Sequence, residues 1–439
     1  MTATRETRLA GRPATLLGAS IVLLEFMAAV TTFVASTLLP VVVDSFDAGD
    51  RVGVLVSGSA IGLFLAMPLA DHLIGVLGTT VTVCAGVVLI IAGDIVSATS
   101  SGPWIFAGGR LVAGFASGLL AVFGVSAAVR HLEDATRRTV IALSSAMWII
   151  PGLIAPPLIV ASEHLIGWRW TLVLPVPFVV LAQLIIFRSV PPRAPTARTR
   201  PTLRTLLVPA GVGCFLLVGN GVPGWLALIV AGVGFRSLMP PGTLRARPGP
   251  PAALLGLTCF GLGYFGASAL LTLLFTDVYG TSLAVAGIVL GAASAAWGVA
   301  SVAMARIRVL ANVSPALSMS VVAICVGGTC LAGAAHISWL VGALCWLLSG
   351  VGVGFFYPSV YLVATTPTAG FTEERAAAAA ISTESFGSLM GGAIGGVLVS
   401  TGGHGSGAAD FVAAYLLLTT ALAVAAVASY RLSTGQQPA

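Results

Sequence analysis

The sequence predicts an all-α polytopic membrane protein. Two observations carry this prediction. Of the 439 residues, 57% are hydrophobic and only 8% are charged, whereas about a quarter of the residues of a soluble protein are charged. In addition, apolar runs of roughly 20 residues, the length that an α-helix needs to cross the hydrocarbon core of a bilayer, follow one another almost end to end.

The charge pattern excludes several classes of protein. The 21 basic residues are all arginines, and they give a net charge of +6. Without a lysine there is no P-loop lysine, Schiff-base lysine or lysine-dependent kinase site. The arginines lie in short loops between apolar runs, as the cytoplasmic loops of membrane proteins require. The basic charge therefore does not predict nucleic-acid binding.

The sequence also predicts no metal, no cofactor and no enzymatic activity. The six cysteines all lie inside apolar runs, without a CxxC pair or a histidine at zinc-ligand spacing, so they are expected to be small core residues. The loops contain no catalytic constellation or phosphate-binding loop, and they are too short to fold into a separate domain. The expected partners are the lipid bilayer, protons and a small-molecule substrate.

The first half of the chain, residues 1–189, is expected to form six spans. Acidic residues after the first span indicate an external loop, and arginines after the fourth and sixth spans indicate internal loops. A short loop at 71–78 is expected after the second span, and an external turn at 163–169 after the fifth. The predicted spans cover approximately residues 14–43, 52–70, 79–98, 104–129, 140–161 and 170–187.

A linker region at 190–251 divides the chain. Residues 190–202 combine prolines with arginines and predict no helix. Two short apolar runs follow within residues 206–239, separated by a Pro-Gly turn. Both are near the lower length limit for crossing a bilayer. A transmembrane hairpin is favoured, and a re-entrant or interfacial pair of helices is the alternative.

The second half, residues 252–439, repeats the rhythm of the first. Together with the hairpin, the two sets of six spans give fourteen transmembrane helices, with both termini cytoplasmic in the inner (plasma) membrane. The predicted spans cover approximately residues 252–275, 284–305, 315–335, 339–364, 376–400 and 411–430.

The fourth span contains an arginine in an apolar, glycine-rich setting. Arg110, Gly114 and Gly118 are spaced at i, i+4 and i+8, so they share one helix face on which the glycines allow a neighbouring helix to approach closely. A guanidinium within the bilayer needs a carboxylate, backbone carbonyls or water as a partner, which makes Arg110 a candidate functional residue. The alternative is a structural arginine that holds two helices together.

Three carboxylates lie within predicted spans and are candidates for proton coupling. Glu25 is near the middle of the first span, where an ionised carboxylate is costly. Asp94 is nearer the outer end of the third span, where the alternative is a solvated residue at the mouth. Glu384 is the only carboxylate well inside the second half, where it is expected either to take a proton or to bind a cationic substrate; an interfacial position is the alternative.

Four local motifs resemble the major facilitator superfamily, and specifically its fourteen-span drug:proton antiporters. Arg110, Gly114 and Gly118 match the R-x-x-x-G-x-x-x-G signature of that family. The sequence around Pro151, Gly152, Pro156 and Pro157 is similar to its antiporter motif, although Ala155 replaces a glycine. A W-R-W sequence stands at Trp168–Trp170. Asp71 retains the acidic residue of the family's gating loop, where His72 replaces an arginine.

This resemblance implies the major facilitator fold, two six-helix bundles with the inserted two-helix hairpin between them. It implies a Glu25–Arg110 pair that opens on protonation, and a gating or conformational role for Asp71, Gly114, Gly118 and the fifth-span motif. A central cavity needs apolar walls with few polar groups. Its candidate substrate-binding aromatics are Phe33, Trp148, Tyr264, Trp297, Phe356 and Tyr357.

The predicted function is export of small amphipathic molecules, such as a drug, an antibiotic or a secreted metabolite, in exchange for protons by alternating access. The expected form is a monomer. Two alternatives remain open: a proton-coupled or facilitative importer of a metabolite, and a membrane receptor that transports nothing.

Overall fold

The computed structural model describes residues 12–132, 149–189, 203–366, 373–400 and 407–435, together with Thr136 and Val140. Nearly all of these residues are helical. Trp148, the linker at 190–202 and the first 11 residues lie outside the described part.

Five helices make up the described part of the first half. Two of them contain a glycine with positive φ at which the helix breaks: Gly78 in the second (φ 79°) and Gly167 in the fourth (φ 78°). The helices are α1 (Arg12–Ser45), α2 (Val52–Ala98), α3 (Pro103–His131), α4 (Ile149–Val173) and α5 (Val176–Ser189).

The break at Gly78 reverses the direction of the chain. Successive residues of the first arm of α2, 52–77, pack against successive residues of α3, whereas the second arm, 79–98, packs against α3 in the opposite order. The two arms are therefore antiparallel and correspond to the second and third predicted spans. The predicted loop at 71–78 is wrong, because the first arm stays helical up to Gly78 and a single glycine makes the turn. The break at Gly167 falls inside the turn predicted at 163–169.

Two short helices follow the linker, α6 (Leu207–Val218) and α7 (Val222–Arg236). They pack closely, because a side chain at Gly211 would overlap the carbonyl of Ala227. The 15 residues of α7 extend about 22 Å, against about 30 Å for the hydrocarbon core. Passage of this hairpin through the bilayer stays a prediction.

The second half contains six long helices. The first of them includes two π-helical stretches, Gly261–Phe265 and Leu274–Val278. The helices are α8 (Pro250–Val278), α9 (Leu283–Arg306), α10 (Pro315–Ala334), α11 (Trp339–Ala364), α12 (Glu373–Ser400) and α13 (Ala408–Ser429).

Within the described residues, ten stretches are long and apolar enough to cross a membrane, and α6 and α7 are two shorter apolar helices. The prediction of an all-α, multi-pass membrane protein is confirmed. The count of fourteen transmembrane helices stays a prediction.

The two halves meet near the acidic loop between α1 and α2. Thr272 of α8 donates a hydrogen bond to the Ser36 carbonyl of α1 at 2.6 Å. The backbone N–H of Val52, at the start of α2, donates to the Ser400 hydroxyl at the end of α12, at 3.1 Å. The backbones of α4 and α9 also touch, at Gly152 and Gly291. The protein is thus closed between its halves on the side of the acidic loop.

Candidate functional site

A buried ion pair lies in the first half, between the second arm of α2 and α3. Arg110 Nη1 donates to Asp94 Oδ1 at 2.9 Å. Each residue is only 6% exposed. The alternative of a solvated Asp94 at the mouth is therefore wrong, because this carboxylate is enclosed by protein.

Glycines bring the helices around this pair into close contact. A Cβ atom at Gly58 would lie 3.2 Å from the Cβ of Arg110, and one at Gly93 would lie 2.7 Å from the Gly109 carbonyl. Added side chains at Gly114 and Gly118 would meet Ser59 and Leu63 of α2. The close approach predicted for the Arg110 face is confirmed, and the approaching helix is the first arm of α2.

The described partner of Arg110 is Asp94, whereas the predicted partner, Glu25, has a side chain that lies outside the described part of the structure. The ring centroids of Phe46 and Phe106 are 6.1 Å apart, which places the end of α1 level with the first turn of α3. Arg110 is one turn, about 6 Å, below that level, whereas Glu25 is 21 residues, or about 30 Å, below it along α1. Asp94 lies at the depth of Arg110 on an antiparallel helix and takes its place.

For two predicted residues, Glu25 and Asp71, the structure describes only the backbone. Glu25 lies within α1, and Asp71 lies within the first arm of α2 instead of in a loop. Their side chains are outside the described part of the structure. A role for Glu25 in proton coupling and one for Asp71 in gating stay predictions.

The fifth-span motif contacts the second half of the chain. A Cβ atom at Gly291 of α9 would overlap the carbonyl of Gly152, and one at Gly287 would lie 3.2 Å from Pro156. Pro151 is buried, whereas Pro157 is exposed on the other side of α4. Gly152 and Pro156 therefore form the contact, and a gating role for the motif stays a prediction.

Three of the predicted substrate-binding aromatics are packed inside the protein. Phe33 is 4% exposed, Tyr264 is 3% exposed and Phe356 is fully buried. Tyr264 stacks on Trp346 with ring centroids 5.3 Å apart. In this state these side chains hold the bundles together, and their contact with a substrate stays a prediction.

The other two described aromatics lie beside the carboxylate of the second half. Trp297 and Tyr357 are half-buried, with ring centroids 5.3 Å apart. The Tyr357 hydroxyl donates to Glu384 Oε2 at 2.8 Å. The sequence predicts each of the three residues separately, and the structure brings them together.

Arg169 is a positioning residue that the motif match did not interpret. Its Nη1 donates to the carbonyls of Ala98 and Ser100, both at 2.7 Å, where α2 ends. The guanidinium also stacks over Trp168, 4.4 Å from the ring centroid. A cation at a helix C-terminus is favoured by the helix dipole, so Arg169 fixes the closed side of the first half. The W-R-W sequence is the feature of the sequence that could have indicated this role of Arg169.

Apolar helices in two halves that close against each other on one side, together with a buried ion pair inside the first half, point to a membrane transporter of the two-bundle class and not to an enzyme. Residues 21–371 match the model of the Major Facilitator Superfamily. The chain belongs to this superfamily.

Curated relatives are distant. The protein named "Probable multidrug-efflux transporter Rv1634" of Mycobacterium tuberculosis is 27% identical, over 94% of each chain. "Multidrug efflux pump SdrM" of Staphylococcus aureus is 22% identical over 38% of this chain and 37% of that protein.

Solved structures share the fold over nearly the whole chain. A bacterial homologue of the human lysosomal transporter Spinster, in an inward-facing conformation, has a TM-score of 0.67 at 14% identity, covering 98% of this chain and 100% of that one. The D-xylose-proton symporter has a TM-score of 0.66 at 14% identity, covering 95% and 97%. The peptide transporter POT has a TM-score of 0.67 at 14% identity, covering 98% and 100%.

Proposed function

We propose that this protein exports small amphipathic molecules in exchange for protons by alternating access, and that the Asp94–Arg110 pair couples the two movements. The buried pair is the observation that carries the proposal. The names of the distant relatives support efflux as the direction of transport.

The chemistry of the pair suits proton coupling. Arg110 is permanently charged, so only Asp94 can change the net charge of the pair at ordinary pH. When Asp94 takes a proton, the attraction that holds it to Arg110 is lost and a buried guanidinium remains, which costs free energy. The close packing of both residues against α2 and α3 transmits this change to the helices that form the first half.

The contacts between the two halves are the surfaces that move apart in the proposed cycle. Glycines bring the backbones of the two halves together at Gly152 and Gly291 and at Gly53 and Gly396, and in the proposed cycle these contacts separate when the side of the acidic loop opens. In the proposed cycle, the state described here is open on the opposite, cytoplasmic side. Both termini lie on that side, in the plasma membrane, and the α6–α7 hairpin is inserted between the bundles as an extra pair of membrane helices.

Gradient-driven transport tests this proposal. Purified protein is reconstituted into vesicles with an acidic lumen, and uptake of a panel of fluorescent amphipathic dyes is followed, with protein-free vesicles as the control. An antiporter accumulates dye in exchange for protons that leave the lumen. The Asp94→Asn variant is expected to lose this accumulation.

Other outcomes identify the alternatives. Accumulation that requires an alkaline lumen would indicate an importer that moves substrate and proton together. Accumulation that persists in Asp94→Asn but is lost in Glu25→Gln would move the coupling site to Glu25. If no member of the panel moves under any gradient, the proposal of export fails and a receptor role is favoured.

A further inference from the structure

Two arginines lie together at one end of the α6–α7 hairpin. Arg204 belongs to the 3₁₀ turn Leu203–Leu206 that leads into α6, and Arg236 is the last residue of α7. A Cβ atom at Gly234 would lie 2.9 Å from the Arg204 carbonyl, so the two ends of the hairpin are in contact. Both arginines are exposed. Within the described residues, neither guanidinium forms an ion pair or a hydrogen bond.

The opposite end of the hairpin lies on the side of the acidic loop. A Cβ atom at Gly53 of α2 would lie 3.1 Å from the side chain of Leu216, near the end of α6. The preceding residue, Val52, donates its backbone hydrogen bond to Ser400 at the end of α12. The turn between α6 and α7 is therefore level with the ends of α2 and α12 that face the acidic loop.

From this level the hairpin extends only about half-way along the neighbouring helices. Phe235 of α7 stacks on Phe386 of α12, with ring centroids 3.9 Å apart, and Phe386 also contacts Phe64 of α2. Phe386 lies near the middle of α12, which runs from Glu373 to Ser400, or about 20 Å from either end. The arginines thus end the hairpin while α2 and α12 continue toward the other side of the membrane.

A hairpin of this length leaves its charged end below the surface of the bilayer. Guanidinium groups within hydrocarbon are costly, and arginine side chains near a helix end extend toward the headgroups. A membrane element that is too short is also accommodated by local thinning, which draws the headgroups toward it. Headgroups of the leaflet opposite the acidic loop are therefore expected to approach Arg204 and Arg236.

The outer face of α7 has the pattern of a surface for a lipid molecule. Ile229, Val233 and Arg236 are spaced at i, i+4 and i+7, so they share one face of the helix. Ile229 and Val233 are exposed side chains, and Arg236 is exposed at the end of the same face. An apolar stripe that ends in a cation matches an acyl chain that ends in an anionic headgroup.

We propose that Arg204 and Arg236 bind the phosphate group of an anionic phospholipid at the end of the hairpin, with its acyl chains along the exposed face of α7. This inference goes beyond the proposed export function and does not depend on it. The site would hold the short hairpin in place in the bilayer, because the lipid supplies the charge that the arginines lack within the described residues.

The chemistry of the two side chains favours this ligand. A guanidinium presents a planar fork of donors that fits two phosphate oxygens, and both arginines keep their charge at any ordinary pH. A phosphatidylglycerol headgroup carries one uncompensated negative charge. The headgroup of phosphatidylcholine carries an ammonium group as well, so it would gain less from two neighbouring cations.

Native mass spectrometry of the purified, delipidated protein, titrated with dioleoylphosphatidylglycerol, tests this site. The wild type is expected to bind this lipid more tightly than dioleoylphosphatidylcholine. Arg204→Gln and Arg236→Gln are each expected to weaken phosphatidylglycerol binding about fivefold, the effect of one basic side chain near an anionic surface. The double variant is expected to lose about tenfold or more, and Arg236→Lys is expected to retain part of the affinity.

The matched control is Arg306→Gln, which removes an exposed arginine from the end of α9, outside the proposed site, and is expected to leave lipid binding unchanged. The thermal transition of each variant reports its folding, and the lysine variants provide the comparison if a glutamine variant is unstable. Competition by glycerol 1-phosphate, which has the same phosphate but no acyl chain, is expected to be weak.

Three results would overturn the inference. The first is a double variant that binds phosphatidylglycerol as tightly as the wild type. The second is equal affinity of the wild type for phosphatidylcholine and phosphatidylglycerol, which would mean that the arginines are only solvated at the membrane surface. The third is competition by glycerol 1-phosphate at the concentration of the lipid, which would assign the site to a soluble phosphate.

Discussion

Replacing Asp94 by asparagine is expected to destabilise the protein strongly although the side chain keeps its size. The change removes the only carboxylate that contacts Arg110 within the described residues, at a site where both side chains are at most 8% exposed. The guanidinium cannot lose its proton to escape the cost. The asparagine amide would offer one carbonyl oxygen in place of a charge.

The two members of the pair are not equivalent in this respect. Removing one partner of a buried ion pair costs about 3–5 kcal/mol when the other stays charged. In Arg110→Gln the remaining carboxylate can take a proton instead, so a smaller loss is expected. Removing both charges in Asp94→Asn with Arg110→Gln leaves no buried charge, so the double variant is expected to recover most of the stability lost in Asp94→Asn.

Thermal unfolding of the purified variants in one detergent measures these differences. The predicted order of transition temperatures is wild type highest, then the double variant and Arg110→Gln, with Asp94→Asn lowest. Glu163→Gln serves as the control for removal of a carboxylate. Additive losses in the double variant would show that the two side chains do not interact and would refute the reasoning.

Three further predictions concern the packing that surrounds the site. Gly291→Ala pushes a methyl group into the α4 backbone and is expected to destabilise the contact between α4 and α9 by about 1–3 kcal/mol, so transport is expected to fall. The control is Gly108→Ala, at a position with open space around it, which is expected to leave transport intact. Arg169→Gln removes the hydrogen bonds at the end of α2 and is expected to lower the transition temperature; an unchanged temperature would contradict that role. Phe235 stacks on Phe386 at 3.9 Å, so Phe235→Ala is expected to loosen the hairpin, measured as faster proteolysis next to α7; wild-type cleavage rates would count against it.

The faces of single helices were predictable from the sequence. The spacing of Arg110, Gly114 and Gly118 predicts one face and a close neighbour, and the structure places the first arm of α2 against it. Composition and span length predict the all-helical membrane class for the same reason, since the bilayer constrains each helix by itself.

Pairing between helices was not predictable in the same way. Glu25 and Arg110 both lie in apolar spans, but the sequence does not say at which depth each span begins. The contact of Phe46 with Phe106 sets the register of α1 against α3, whereas the close approach of Gly93 to Gly109 and Ala113 brings Asp94 to Arg110. The hydrogen bond between Tyr357 and Glu384 likewise depends on how α11 and α12 pack.

The prediction of a loop at 71–78 failed for a local reason. A charged residue, Asp71, suggested the end of a span, yet a helix can continue past a charge near the membrane surface. The turn is made by Gly78, whose positive φ only glycine adopts without cost. The second turn of this kind, at Gly167, lies within the turn predicted at 163–169, because the charged residues that surround it indicated the end of a span.

Coupled and uncoupled transport by Asp94→Asn, compared in one set of vesicles, test the central claim most directly. Exchange of labelled for unlabelled substrate without a pH gradient reports a folded protein that still changes conformation. Accumulation of substrate against its gradient, driven by an acidic lumen, reports coupling to protons. The variant is predicted to keep exchange and to lose accumulation. Accumulation at the wild-type level would contradict the assignment of proton coupling to the Asp94–Arg110 pair.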